Sequence, residues 1–300
     1  MDEPTAGLTP HSLAGVDSFP GVSKGQVRSA RQLLQRRGRD ESGRFLVEGT
    51  QAVREALRRP EIVEALIVDD PVRHAELVAL ANPDLCWTAT PADIDQLSDT
   101  VTSQGIFAIC RQLEASWDDA TQPKLVVICS QVRDPGNAGT VIRCADAFGA
   151  DLVVLTKGSV ELHNPKTVRA SVGSIFHVPV VTGVTLDEAV AQLRGQGLRV
   201  LAADGGGSSL DELEHSGGLT GPTAWIMGNE AWGLPAQDRA LADEVVGVPM
   251  WGQAESLNLS TAAAVCLYAT ASAQRSAHSP STQSPTAQTS GIQTPPDALR

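Results

Sequence analysis

The second half of this 300-residue chain alternates short apolar runs with helix-length stretches, and this alternation constrains the fold more than any other feature. The runs are KLVVICS (124–130), DLVVLTK (151–157), HVPVV (177–181), GLRVLAAD (197–204), TAWIMG (223–228) and EVVGVPM (244–250). They are short and rich in Val, Ile and Leu, which favours strands over buried helices. Helix-like stretches such as 140–148, 186–193 and 260–273 separate them. Strands apolar at nearly every position are covered on both faces. The expected fold class is therefore α/β with a mostly parallel sheet, in which ligands settle at the carboxyl ends of the strands.

Composition divides the rest. Residues 1–22 mix Pro, Gly, Ser and Thr without periodicity, and residues 276–300 lack large apolar side chains, so a disordered lead and tail are expected. Residues 114–121 break the pattern as a linker. That leaves a small domain over 23–113 and a larger one over 122–275. The small domain opens with helical spacing (Val27, Ala30, Leu33, Leu34), then predicts strands at 45–47, 64–70 and 105–111 and helices at 50–59 and 74–81. It too is α/β, with no visible catalytic cluster.

No apolar run approaches the roughly 18–20 residues that span a bilayer. The acidic, polar start lacks the layout of a secretory signal, so a soluble, cytoplasmic protein is expected. The 5 cysteines show no CxxC spacing and the 6 histidines no HExxH or HxxxH pair, which points to idle or buried thiols and no metal site. A net charge of −12 argues against nucleic acid, whose phosphates must be met by Lys and Arg. Yet arginines crowd the span 24–59, among them Arg36, Arg37, Arg39 and Arg44. Such a run is either the solvated side of helices or a basic, RNA-binding face.

Three segments of the larger domain draw attention. In DPGNAGTVIRCADAFGAD (134–151) a Pro-Gly turn follows a strand, Asn137 is placed to cap a helix, and Gly149 suits a left-handed closing residue. Arg143 projects from that helix away from its apolar stripe. In IMGNEAWGLP (226–235) an apolar strand runs into Gly228, where a backbone can be approached closely. In VPMWGQAESLNLSTAAAVCLYA (248–269) an irregular loop enters a helix of small residues. Each pattern alone fits an ordinary structural element equally well. The stretch 200–212, with its run of three glycines, lacks GxGxxG and is expected to be a flexible loop. No Walker A sequence or GxSxG elbow occurs.

In this order and spacing the three segments resemble motifs 1, 2 and 3 of the SpoU family of SPOUT, or α/β-knot, methyltransferases. The resemblance covers nearly all of 122–275. It extends to the small domain, where RFLVEG (44–49) and SDTVTSQG (98–105) are similar to the family's L30e-like substrate-binding domain, with Ser103 in place of the usual Pro. The resemblance implies a deep trefoil knot, one of the rare exceptions to unthreaded chains. It further implies S-adenosylmethionine as methyl donor, a homodimer formed through the knot domain, and transfer to a ribose 2′-hydroxyl of RNA, ribosomal before transfer RNA. Gly228, Glu230, Val248, Met250, Ser256 and Leu257 match the donor pocket. Asn137, Arg143, Glu230 and Asn258 match the polar positions nearest the ribose, Arg143 serving as base or as a holder of phosphate and forming alkoxide. Two alternatives are a binding protein that kept the knot without catalysis and an unrelated α/β nucleotide enzyme. The presence of Arg143, Glu230 and Asn258 tells against the first, the missing phosphate loop against the second.

Overall fold

The computed structural model describes residues 19–278 and arranges them about two sheets. The first unit runs α1 (Lys24–Gln32), α2 (Arg36–Ser42), β1 (Arg44–Glu48), α3 (Thr50–Leu57), β2 (Val63–Val68), α4 (Ala75–Val78), β3 (Cys86–Thr88), α5 (Pro91–Leu97) and β4 (Ile106–Arg111). Its strand order is β1-β4-β2-β3, antiparallel except between β2 and β3. Ser23 caps α1 and Thr90 caps α5, each in a reciprocal box with the third helical residue. β3 went unread in the sequence because three residues carry no periodicity. Residues 19–22, assigned by composition to the lead, instead reach β3, where the Val22 N–H donates to the Thr88 carbonyl at 2.8 Å. The remainder of the expected lead and tail lies outside the described residues.

The second unit follows as β5 (Leu125–Cys129), α6 (Pro135–Phe148), β6 (Leu152–Leu155), α7 (Pro165–Ser171), β7 (Val180–Thr182) and α8 (Leu186–Gly195). It continues with β8 (Arg199–Ser209), α9 (Leu210–His215), β9 (Thr223–Met227), α10 (Ala236–Arg239), β10 (Glu244–Gly247) and α11 (Leu259–His278). The six strands are all parallel in the order β10-β8-β9-β5-β6-β7. Every residue of β5, β6 and β9 is buried, as expected of strands sandwiched between helices. β5 sits where the order reverses, with β6 on one side and β9 on the other. Loops leaving β5 and β9 therefore part at a topological switch point.

Two local expectations are corrected. Helix α6 begins at Pro135, and its cap is Asp134, which accepts the Asn137 N–H at 2.8 Å. Proline suits the first helical position because its missing donor would be an orphan there. Asn137 thus lies inside the first turn and its side chain is free for other partners, whereas Gly149, at φ +73°, closes the helix as expected. The stretch 205–209 is not a loop but the far end of β8, paired with β10 across a register shift between Val245 and Val246. A Cβ on Gly207 would stand 2.0 Å from the Val245 carbonyl oxygen, so this glycine serves a close strand crossing. Helix α11 also runs three residues past 275, the expected end of the domain.

The two units share one core. A single apolar cluster runs from Phe45 and Val53 to Val168 and Phe176. The Phe45 ring lies 4.6 Å from the ring of His163, which accepts the Leu113 N–H. Arg39 is here a correction to the proposed RNA face. It is only 2% exposed, donates to both carboxylate oxygens of Glu161 at 2.7 and 2.5 Å, and donates to the Leu33 carbonyl. Buried in the seam and paired with Glu161, Arg39 does not present its guanidinium to a phosphate in solvent. Arg169 joins Glu48 and Asp99 across the same seam, and His177 stands between Asp146 and Glu55 at 2.9 and 3.2 Å.

Replacing Arg39 with Leu strands the Glu161 carboxylate in the seam and should cost about 3 kcal/mol of stability in denaturant unfolding. Replacing both partners with apolar residues should recover most of that loss. Burial lowers the pKa of His177, but its bonds to Asp146 and Glu55 outweigh that and hold it above the ordinary value. A raised histidine contributes stability that is complete below its unfolded pKa and fades as pH rises through the folded one. The stability difference between wild type and His177→Gln should therefore be larger near about pH 6 than near about pH 9. A difference that does not change with pH would contradict this.

Candidate active site

The site grows from the two loops at the switch point. Beyond β9, the Asn229 and Gly233 backbones exchange hydrogen bonds at 3.0 and 2.9 Å and close a tight turn. Gly228 sits so near this turn that a Cβ would meet the Gly233 carbonyl carbon at 2.6 Å. Asn229 is buried, donating from Nδ2 to the Gln131 carbonyl at 2.6 Å and accepting the Ala231 N–H at 2.8 Å. The turn after β9 is thus pinned to the loop after β5. Asn229 was passed over in the sequence, although it is the middle residue of the Gly-Asn-Glu turn that drew attention there.

Glu230 extends the same link. Its carboxylate accepts the Arg133 and Asp134 N–H groups at 3.2 and 3.1 Å and the Asn137 Nδ2 at 3.3 Å. Asn137 Oδ1 in turn accepts from Asn258 Nδ2 at 3.0 Å. The Asn258 Oδ1 accepts from the Ser260 N–H and hydroxyl at 2.9 and 2.6 Å, capping α11. One line of hydrogen bonds, Glu230–Asn137–Asn258, thereby connects all three segments singled out in the sequence. Asp134, at the edge, pairs with Lys166 at 3.2 Å. Burial raises its pKa, but the Asn137 N–H and Lys166 outweigh that and hold it below the ordinary carboxylate value.

Beside this line opens a cleft of about 650 Å³, lined by Gly228, Glu230, Val248, Met250, Ser256, Leu257 and Asn258. All six residues expected to hold a donor are among them. Met227 and Val246 give it an apolar floor. Residues 250–257 make no backbone-to-backbone hydrogen bond among the described residues, which leaves N–H and C=O groups for a ligand. Glu230, Glu255 and Asp204 add carboxylates. An apolar floor, available backbone groups and acidic walls suit a molecule with a flat base and a cationic centre, as S-adenosylmethionine is. Ala203, Asp204 and Gly205 also line the cleft, and nothing in the sequence reading assigns them a role in it.

Arg143 is not brought to the cleft of its own chain. It follows Asn137 by six residues, one and two-thirds helical turns, and so leaves α6 on another face, exposed. Among the described residues its side chain makes no hydrogen bond or ion pair. Arg36, Arg37 and Arg44 lie on the first unit, where they approach Asp40, Glu41 and Glu64 at 3.4, 2.7 and 3.8 Å. Cys86, Cys110, Cys129 and Cys266 are buried, and burial pushes their thiols up to about 11 for Cys86 and about 12 for the other three.

The chain matches the model of the SpoU rRNA methylase family over residues 124–268 and that of the MRM3-like substrate-binding domain over residues 24–108. It is 36% identical over 244 residues to the 23S rRNA (guanosine(2553)-2′-O)-methyltransferase RlmP of Bacillus subtilis strain 168, covering 81% of this chain and 94% of that protein. The SpoU methyltransferase AviRb from Streptomyces viridochromogenes, solved in complex with the cofactor AdoMet, is similar at a TM-score of 0.73 and 27% identity, over 85% of this chain and 99% of that one. An AdoMet-bound rRNA methyltransferase from Sinorhizobium meliloti gives 0.72 and 28%, over 87% and 98%. With both units matched, and the three segments joined at one cleft, the chain belongs to the SpoU rRNA methylase family.

Proposed function

We propose that this protein transfers a methyl group from S-adenosylmethionine to a ribose 2′-hydroxyl of 23S ribosomal RNA. The observation that carries the reading is the cleft bounded by all three motif segments, with Glu230, Asn137 and Asn258 linked along its edge. S-adenosylmethionine supplies an electrophilic methyl group on a sulfonium. The carboxylates of the cleft complement that positive charge, while Leu257 and Val248 flank the base. Asn137 and Asn258, fixed by their mutual bond, orient the ribose. Displacement then asks mainly for placement and for a hydroxyl that can lose its proton. Transfer RNA is the alternative substrate.

An arginine side chain offers only donors and no acceptor, so Arg143 serves best by gripping a phosphate and steadying the forming alkoxide. It would act on the site of a second copy. Tyr268 and Val265 of α11 are exposed beside α6, with Tyr268 edge-on to Phe148 at 5.6 Å. This apolar strip supports a homodimer through the second unit, in which we propose that the C-terminal part of the sheet is tied into a trefoil knot. The exposed Arg36 and Arg37 and the half-buried Arg44 offer the first unit's RNA contacts. No described helix is long and apolar enough to cross a membrane. The site of action we propose is the cytoplasm.

Calorimetry should detect S-adenosylmethionine binding to the wild-type chain, and Leu257→Glu should abolish it by placing an unpaired charge in the pocket. Arg143→Ala should keep donor affinity yet lose transfer to 23S rRNA by about 100-fold or more. A folded wild-type chain that binds no donor would overturn the enzyme reading. An Arg143→Ala protein turning over at the wild-type rate would remove Arg143 from it.

A further inference from the structure

We propose that Arg133, steadied by Trp232, grips the RNA phosphate next to the target ribose and so positions the substrate over the cleft. The inference rests on the methyltransferase reading above. Trp232 stands between Ala231 and Gly233, both of which line the cleft, and is 47% exposed. The guanidinium carbon of Arg133 lies 4.9 Å from the centre of its indole ring. An arginine stacked on an aromatic face keeps its N–H edge available while losing much of its freedom to wander.

What Arg133 lacks is as telling as what it touches. Among the described residues its side chain makes no hydrogen bond and pairs with no acid, in a chain with 35 acidic residues against 23 Lys and Arg. Other arginines near the seam and the cleft are committed: Arg39 to Glu161, Arg169 to Glu48 and Asp99, and Arg239 to Asp204. The Arg133 backbone N–H, meanwhile, is held by Glu230, so the side chain springs from the network that bounds the cleft. An unpaired, pre-oriented guanidinium there fits a planar, bidentate grip on phosphate. A 2′-hydroxyl always lies beside the phosphate on the neighbouring 3′-oxygen, so gripping that phosphate fixes the ribose. Trp232 acts through Arg133 and is a positioning residue.

The test is equilibrium binding of a 23S rRNA transcript to the full chain over a salt series, with S-adenosylmethionine binding measured alongside. Arg133→Gln should weaken RNA binding about tenfold. It should also reduce the magnitude of the log–log salt slope by about 0.7, the loss of one phosphate contact on single-stranded RNA. Donor affinity should not change. Trp232→Phe preserves an aromatic face and should stay near wild type, whereas Trp232→Leu should fall with Arg133→Gln. In turnover the loss should appear in KM for RNA and leave kcat intact. An Arg133→Gln protein with wild-type RNA affinity and salt slope would overturn the grip, and Trp232→Phe as weak as Trp232→Leu would overturn the role of the stack. Because binding is read without turnover, a chain that binds RNA but transfers no methyl group defeats the enzymatic reading and leaves the grip standing.

Discussion

The Glu230 carboxylate is the point on which the site depends. It accepts two backbone N–H groups from the loop after β5 and the amide of Asn137 in α6, and so joins the loops of neighbouring strands through residues as far apart in sequence as Asp134 and Glu230, 96 positions. Bonds to an ionised acceptor are each worth roughly 1.5–3 kcal/mol, toward the low end where water competes. Three of them add to the apolar anchorage that the buried Val132 and Leu234 already give these loops. Asn229 reinforces the link from the buried side, and Asn258 carries it on to α11. The parallel register of β5 with β9 brings Cys129 beside Met227, which sets both loops at the same height above the sheet.

The seam between the units governs how RNA meets the cleft. An apolar cluster shared by both units, with the Arg39–Glu161 and Arg169–Glu48 pairs set into it, leaves little freedom for one unit to swing on the other. The exposed Arg36 and Arg37 of the first unit are then held at a fixed distance from the cleft. This also reconciles an acidic chain with a polyanionic substrate. Many arginines are consumed in holding the fold, while among the described residues Arg28 and Arg31 of α1 and Arg133 and Arg143 of the first motif segment make no side-chain hydrogen bond or ion pair.

Much of this was legible in the sequence because it rests on patterns of single residues. Unbroken apolar runs announce a parallel sheet whatever surrounds them, and the three motif segments carried all six lining residues assigned to the donor. The failures share a cause, which is dependence on other residues, near or far along the chain. Asn137 has the chemistry of a cap, but Pro135 lets the helix start earlier and Asp134 takes the cap instead. Arg39 sits in an arginine-rich run, and only Glu161, 122 positions away, makes it a core residue. The glycines at 205–207 look flexible, yet they lie near the end of β8, and at Gly207 the β10 backbone comes close enough to exclude a side chain. Arg143 matches a catalytic position, yet helical phase turns it from the cleft of its own chain.

The central claim is that the three segments act as one hydrogen-bonded unit through Asn137. A double-mutant cycle between Glu230→Ala and Asn258→Ala, read by S-adenosylmethionine affinity, tests it most directly, because both residues bond to Asn137 and each other only through it. The account predicts a coupling energy of about 1 kcal/mol, the double variant losing less than the sum of the singles. Losses that add to within about 0.3 kcal/mol would mean that the segments contribute independently, and the account would fail.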